Sequence, residues 1–434
     1  MLTRENKTDV IIVGAGPAGI ACGITLARAG KEVVIIERGL FAGSKNVFGG
    51  AIYTKPTLEI FPNFETEAPV ERRNIEHNFA ILGEEDSTSI TYRKNNNTSY
   101  SVIRGKFDRW AAEEARKAGA YIVEETVVRE LIKENDKIVG VKTELEEFYA
   151  DVVILADGVN SLLAKQIGLR KDIKTKDVAL SVKEVIKLDK ETINQRFRLK
   201  DDEGSIVEIF GGPMLGMLGL GFMYTNKDSV TIGLGVTLNE LVDEGLRPYD
   251  ILEKLKQHPT IAPLIEGGTI KEYSAHLIPE GGYKAIPQLC DNGVVIVGDA
   301  AMLVNNLHWE GTNLAMISGK LAAETVLEAF EKKDFSKSTL SNYETKLKKS
   351  FILKDMETYK DLMDVMHTRK KAFLSYYMKK INAFFEMFTS VDSVPKKENY
   401  HKFIKSIFTD RKITELFKDA WAIIKLLWSI LLWI

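Results

Sequence analysis

Cysteine is scarce in this chain: Cys22 and Cys290 are the only two among 434 residues. A disulfide framework is thereby excluded as an organising device, and a reducing, intracellular compartment is the expectation. An iron–sulfur cluster takes about four Cys ligands, so any cluster in the same pathway must sit on another polypeptide. An excess of one charge is missing too. Lys plus Arg number 59 against 61 Asp plus Glu, which leaves no basic field for nucleic acid and no acidic tail. The apolar run Val10–Val13 is too short for a signal core, so no secretory signal is expected. There is no zincin motif, serine-nucleophile elbow or metal-ligand cluster, and no internal repeat.

What is present reads as an ordinary folded protein, 45% apolar and 28% charged. At 434 residues it is too long for one small core, so two or three structural units are expected. The clearest local signal runs from Thr8 to Glu37. Val10–Val13 is read as a buried strand, Gly14 to Gly19 as a turn, Ile20 to Ala29 as a helix ended by Gly30, and Lys31 to Glu37 as a second strand. Together they make a βαβ unit of about 30 residues.

Inside that unit, Gly14-Ala15-Gly16-Pro17-Ala18-Gly19 has the spacing of a dinucleotide cradle. Gly14 makes the tight turn, Gly16 lets backbone approach a pyrophosphate, and Gly19 lets the helix pack closely on the sheet. The helix N-terminus offers phosphates unpaired N–H groups and the positive end of its dipole. Glu37 ends the second strand, where a carboxylate accepts hydrogen bonds from ribose hydroxyls. A lone glycine pattern is a weak signal; this one follows a strand, opens a helix and has its acid.

FAD rather than NAD follows from the extra Gly23 and the Glu37-Arg38 pair, and more from a motif far downstream, Val295-Ile-Val-Gly298-Asp299-Ala300-Ala301. An acid at a strand end beside a helix suits the ribityl or pyrophosphate region of a flavin; the plainer reading is an Asp that caps a turn. Ile154-Leu-Ala-Asp157-Gly158-Val-Asn-Ser161 is a third strand end of this kind. Gly311-Thr312-Asn313 opens a long helix whose N–H groups would face the pyrimidine end of the flavin ring and favour negative charge there on reduction. No second strand–GxGxxG–helix unit appears. No separate nicotinamide domain is therefore expected, and electrons are expected to arrive from a protein. Gly216-x-x-Gly219-x-Gly221 lacks a following helix and reads as close packing near the flavin.

Short alternating segments, Val178–Ile186, Ser205–Phe210, Gly221–Tyr224 and Ser229–Val236, suggest an antiparallel sheet. Gly293–Gly298 then returns to a buried parallel strand. The flavin domain is thus expected in three pieces, 1–75, 101–170 and 286–337. A substrate sheet (76–100 and 171–285) is inserted, and a helical region covers 338–434. Helices are expected over Phe107–Ala118 and Gly311–Glu328, and a hairpin turn at Asn95–Asn97. At the C-terminal end, Trp421–Ile434 has only Lys425 and Ser429 as polar residues. As a helix it would span roughly 21 Å, short of the ~30 Å hydrocarbon core. Lys418, Lys425 and Ser429 share one face, and Lys396, Lys397, Lys402, Lys405, Arg411 and Lys412 precede it. An interfacial, membrane-associating helix over 413–434 is expected, with basic residues near anionic headgroups; the alternative is a helix buried against a partner subunit.

The three strand-end motifs, in this order, resemble a group of flavoproteins. It contains aromatic hydroxylases, geranylgeranyl reductases and the quinone oxidoreductases of electron transfer flavoprotein. In that group Arg104, within Val102-Ile-Arg-Gly-Lys-Phe-Asp108, would sit near the flavin chain and Val128 beside the adenine. The loop from Glu37 through Lys45-Asn46-Val-Phe-Gly49-Gly50 is similar to that of the FixC family. So are Gly219–Asp228, Ile232–Thr237, Ile278–Gly282 and Ile286-Pro287, and the similarity covers nearly all of residues 8 to 330. The resemblance implies an α/β, FAD-binding, two-dinucleotide-binding (Rossmann-like) fold of the glutathione reductase and p-hydroxybenzoate hydroxylase type. It adds Lys45, Asn46, Gly49 and Gly50 to the cofactor contacts and asks for no side-chain acid or base, since the flavin carries the redox chemistry. Mitochondrial-type relatives carry an iron–sulfur module at the C-terminus, where this chain has no cysteine.

FixC proteins lack that module as well and are partnered by a small ferredoxin-like iron–sulfur protein, FixX or EtfX. The implied partners are therefore this protein, the alpha and beta subunits of an electron transfer flavoprotein, and a membrane quinone held by the substrate sheet. The implied setting is the cytoplasmic face of the cell membrane, peripherally bound, in a complex that bifurcates NADH electrons between ferredoxin and quinone. Two alternatives stay open: a geranylgeranyl reductase-like enzyme acting on prenyl lipid, and a non-catalytic flavoprotein scaffold. His308, in Asn305-Asn306-Leu-His308-Trp309-Glu310, receives no role, because a lone His is more often a packing or hydrogen-bonding residue.

Overall fold

The computed structural model describes residues 7–44, 50–95 and 98–431. Lys45, Asn46 and Gly49 lie outside them. The chain forms two compact units, each assembled from separate stretches. One comprises Met1–Arg73, Asn97–Ala179 and Ala275–Lys360; the other comprises Asn74–Asn96, Leu180–Ser274 and Asp361–Ile434.

The first unit is built on a parallel sheet. Thr8–Val13 lies between Val33–Ile36 and Glu147–Leu155; Tyr121–Val123 flanks the former and Val294–Ile296 the latter. Helices cover such a sheet on its faces, so its strands read as unbroken apolar runs rather than as alternation. Accordingly Val10, Ile11, Ile12, Ile35, Val152, Ile154 and Val295 are completely buried. The chain winds outward in both directions from Thr8–Val13. That reversal is where open α/β sheets hold ligands, at the carboxyl ends of the strands. Register then does the positioning. Ile36, Val13, Leu155 and Ile296 stand side by side in one row. Glu37, Gly14, Asp157 and Gly298-Asp299, distant in sequence, therefore leave the sheet at a single edge.

Three helices differ from their expected bounds, and the first, Pro17–Arg28, begins three residues before Ile20. The Arg104–Lys117 helix starts earlier than Phe107, directly after an extended Ile103. The Thr312–Lys332 helix runs past Glu328 until Lys333 turns left-handed at φ 53°. The helical region expected from 338 onward also divides. Leu340, Tyr343, Leu347 and Ile352 complete the core of the first unit, and only the chain from Asp361 belongs to the second.

The second unit is an antiparallel sheet. Glu203–Gly211, Gly219–Thr225 and Ser229–Thr237 pair in succession (Ile206 with Tyr224, Gly221 with Leu234). The Pro248–Gln257 helix buries Ile251, Leu252 and Leu255 in the same core. The glycines expected near the flavin are packed within this unit, where a Cβ on Gly219 would lie 2.8 Å from the Gly235 carbonyl oxygen. Asn95–Asn97 lies partly outside the described residues. The strands on either side of it, Ser87–Arg93 and Ser99–Val102, each pair with Val70–Leu82. The tight turn is Gly83–Asp86, with Gly83 N–H on Asp86 O at 2.9 Å.

The end of the chain forms the helices Tyr377–Thr389, Lys396–Asp410 and Ile413–Leu431. Asp419 anchors the last one: fully buried, it accepts Arg411 Nε and Nη2 (2.5 and 2.8 Å) and Tyr377 Oη–H (3.1 Å). Several cations expected to face headgroups have partners in the protein. Lys396 Nζ caps the Tyr377–Thr389 helix through Met387 O at 2.8 Å, Lys418 pairs with Glu415 at 2.6 Å, and Lys425 pairs with Asp361 at 3.1 Å. Among the described residues no helix is long and apolar enough to cross a membrane.

Candidate functional site

The edge of the first unit's sheet carries a cradle whose parts follow from local chemistry. Gly14 sits at φ +104°, where a Cβ would meet Ala156 O at 2.4 Å; Gly19 approaches so closely that its Cβ would meet Gly14 O at 2.0 Å. Only glycine closes this turn. Gly16 is the N-cap of the Pro17–Arg28 helix, and neither a capping side chain nor a first-turn acid occupies that end. Pro17 has no N–H to leave unpaired, as suits the first helical position. A shallow hollow opens here, lined by Gly16, Pro17, Ile20, Phe107, Asp108 and Met316. A helix N-terminus with no capping side chain and no first-turn acid, beside a hollow, suits a pyrophosphate.

Glu37 is held in place by backbone. Its Oε2 accepts Ala15 N–H at 2.8 Å and its Oε1 accepts Gly39 N–H at 2.7 Å. Each oxygen keeps a lone pair for a ribose hydroxyl. Arg38 is exposed. Val128 begins the Val128–Glu134 strand and packs against the core, and Gly50 gives its carbonyl to Val102 N–H at 2.8 Å.

At the other strand ends the site becomes electrostatic. Burial pushes Asp299 up to about 6 from 3.8, opposed by Arg104 and Arg170. Among the described residues its carboxylate has no hydrogen-bonding side-chain partner. A half-buried acceptor in that state fits the hydroxyls of a flavin's ribityl chain. Burial likewise raises Asp157 to about 6, against the hydrogen bond from Ser161 Oγ at 3.0 Å; Gly158 follows it at φ +77°. Arg104 is clamped by Asp108 through two bonds of 2.8 Å and reaches Thr312 Oγ1 at 3.4 Å. The clamp cancels the Asp108 charge, which would otherwise repel phosphate in the hollow. At the start of the long helix, Asn313 is committed within the protein. Its side chain bonds Tyr53 N–H and C=O (both 3.0 Å) and Thr57 Oγ1 (2.8 Å), and its N–H goes to Glu310 Oε1 at 2.6 Å.

Three contributors were not singled out in the sequence. Arg170 is buried and spans two strand ends, bonding Val159 O at 2.6 Å and Ala300 O at 3.2 Å; no local pattern announces it. Ser318 accepts Gly298 N–H on its Oγ at 2.9 Å and so ties the second turn to the long helix. Asp108 had a signal, its i,i+4 spacing from Arg104.

Comparison with known proteins agrees with this geometry. Residues 7–204 match the FAD binding domain family, 178–278 the ubiquinone-binding family of ETF-QO, and 362–428 the ETF-QO/FixC family C-terminal domain. The chain is 42% identical to Protein FixC of Azorhizobium caulinodans over 425 residues, 96% of this chain and 98% of the relative. It is 43% identical to Protein FixC of Escherichia coli (strain K12) over 365 residues, 82% and 85% of the two chains. Among solved structures, a geranylgeranyl bacteriochlorophyll reductase-like protein from Thermoplasma acidophilum superposes with a TM-score of 0.72 at 21% identity, covering 95% of this chain and 98% of that one. Halogenase PltM in complex with phloroglucinol and FAD gives 0.64 at 15% identity, covering 93% and 84%. At such identities these two show the fold alone, an α/β flavoprotein fold with a helical C-terminal part. The chain belongs to the FixC family and is an FAD-dependent oxidoreductase of the electron transfer flavoprotein–quinone oxidoreductase type.

Proposed function

We propose that this protein takes electrons from an electron transfer flavoprotein onto its FAD and passes them to a membrane quinone. The observation that carries the reading is the near full-length FixC similarity joined to a ubiquinone-binding match over residues 178–278. Bound FAD supplies a carrier that exchanges electrons singly or in pairs. The chain's own groups do the holding. Backbone from Gly14 to Gly19 receives the pyrophosphate and Glu37 orients the ribose, with Arg38 and Val128 at the adenosine end. Arg104, Asp157, Gly158, Gly298 and Asp299 line the flavin chain. Gly50 and Gly311 to Asn313 flank the ring. Lys45, Asn46 and Gly49 belong to the same proposal by family resemblance. Electron transfer asks for no side-chain acid or base, and quinone protons come from water.

The complete proposal sets the chain in a complex with electron transfer flavoprotein alpha and beta subunits and a small ferredoxin-like protein, dividing NADH electrons between ferredoxin and quinone. It works peripherally at the cytoplasmic face of the membrane. Support for the membrane comes from the last helix, which exposes Phe417, Trp421, Ile424 and Trp428 along one stripe. The test mixes FAD-loaded protein with NADH-reduced electron transfer flavoprotein, the ferredoxin-like subunit and a water-soluble quinone. Quinol formation that needs every protein component supports the proposal. FAD that stays oxidised overturns it, and saturation of a prenyl lipid without electron transfer flavoprotein replaces it with a prenyl reductase.

A further inference from the structure

Glu310 stands at the start of the Thr312–Lys332 helix, and backbone fixes it there. Residues 305 to 310 close on themselves through the Asn305–Glu310 bridge (2.9 and 3.3 Å). Asn305 Oδ1 accepts the N–H groups of Leu307 and His308 at 3.1 and 3.3 Å. Trp309, in the left-handed region at φ 50°, turns the chain so that Glu310 faces back onto the helix, where its Oε1 accepts Asn313 N–H at 2.6 Å. A carboxylate therefore already holds the helix end at which a reduced flavin ring would place its own negative charge.

Little positive charge compensates it. Arg104 acts on Glu310 from the neighbouring helix, but its guanidinium is bonded twice to Asp108 at 2.8 Å, and its field is shared with Asp299 and His276. No cation stands within ion-pair distance of Glu310 among the described residues. Burial pushes the carboxyl up to about 7, against the Asn313 N–H and Arg104, so a second negative charge nearby tips it toward its neutral form.

We propose that, wherever Glu310 is ionised beside oxidised FAD, it binds one proton when the FAD is loaded with two electrons and releases it on re-oxidation. The inference rests on the FAD reading above. Two electrons from a reduced flavoprotein and one proton go to the ring; a second proton forms an O–H bond on the Glu310 carboxylate; both protons come from water. Re-oxidation returns the two protons to water, as many as a quinone takes up with the two electrons to become quinol.

The test is a spectroelectrochemical titration of FAD-loaded protein from about pH 5.5 to about pH 9. Each proton bound with a two-electron couple adds ~30 mV per pH unit, the equivalent of a tenfold change in equilibrium. Below about pH 7 Glu310 is protonated in both redox states and adds nothing; above it, only the reduced state holds the extra proton, so the slope steepens. Ionisation of the reduced ring itself only flattens the slope as pH rises. Glu310→Gln should remove the steepening, and dye-monitored proton uptake at about pH 8 should fall from about two to about one per FAD. Glu310→Asp, one methylene shorter, should keep the steepening but move its onset. Equal slopes in wild type and Glu310→Gln overturn the inference, as does an unmoved onset in Glu310→Asp. So does loss of the steepening only in Glu280→Gln, the other buried carboxyl raised to about 7, which Asn306 of the same loop holds at 2.6 Å. A polypeptide that binds no FAD sinks the reading of the site; an FAD-loaded protein with a slope that never steepens sinks this inference alone.

Discussion

Replacing Asp299 by Asn should stabilise the ligand-free protein and weaken its hold on FAD. Burial raises the carboxyl from 3.8 to about 6 despite the pull of Arg104 and Arg170. At ~1.4 kcal/mol per unit, the strain of keeping this charge in the native state is about 3 kcal/mol. The folded pKa lies above the unfolded one, so the native state binds more protons between about pH 4 and about pH 6. Stability falls as pH rises through that window and is level above it. Asn removes the charge but brings an amide with its own hydrogen-bonding needs, so the expected gain at about pH 8 is ~1–3 kcal/mol, shrinking toward nothing near pH 4. FAD responds the other way. Exchanging a charged for a neutral hydrogen bond to a hydroxyl loses the difference between the two, ~1–1.5 kcal/mol, or about 5- to 13-fold in affinity. Urea unfolding of ligand-free protein at both pH values, with FAD titration by fluorescence quenching, reads both effects. An Asn variant that is less stable at about pH 8, or that holds FAD as tightly as wild type, would refute the reasoning.

Glu37→Ala removes the acceptor for Ala15 N–H and Gly39 N–H. Leaving both buried donors unpaired costs ~1–3 kcal/mol each, so the variant should purify colourless and melt below Glu37→Gln. Gly14→Ala drives a Cβ to 2.4 Å from Ala156 O at φ +104°; loss of FAD absorbance together with a lower melting temperature is expected, and a yellow, equally stable protein would contradict the turn geometry. Trp421→Ser with Trp428→Ser should lower co-sedimentation with anionic vesicles while the flavin spectrum stays unchanged. Asp419→Asn breaks the buried pairing with Arg411 at a cost of ~3–5 kcal/mol, and should expose the chain near residue 412 to limited proteolysis.

The flavin half of the fold was legible because its signals are local. A buried strand, a glycine turn and an acid at the next strand end are set by residues within one βαβ unit, and each must be that residue type for a steric or hydrogen-bonding reason. Asp157 and Asp299 were legible for a related cause: each ends an apolar run, and strands of a parallel sheet end at a common edge. The C-terminal helix was legible as amphipathic from its composition. The partner of Lys425 was not, because Asp361 becomes its neighbour only once the helices are packed; Glu415, three residues before Lys418 on the same helix, was within reach of spacing alone.

What escaped the sequence shares one property: each group works by joining segments that only the fold brings together. Arg170 has meaning because Val159 and Ala300 stand beside it, and these meet because Leu155 and Ile296 are in register. Ser318 matters because Gly298 N–H lands on its hydroxyl. Glu310 was within view, two residues from the weighed His308, yet a glutamate before a glycine says nothing until the bridge to Asn305 turns it onto the Asn313 N–H. The division is physical rather than accidental. Residues that hold a cofactor by backbone shape must be glycine or an acid at a fixed place in a motif, and so leave a mark in sequence. Residues that set the charge around the cofactor act across several ångströms from many starting points, so the chain is free to supply them from anywhere. The tuning of this flavin is therefore expected to depend more on Glu310, Arg170 and Arg104 than on the glycine motif. Substituting them should move potentials and proton counts in an otherwise FAD-loaded protein, whereas substituting the glycines should remove the FAD altogether.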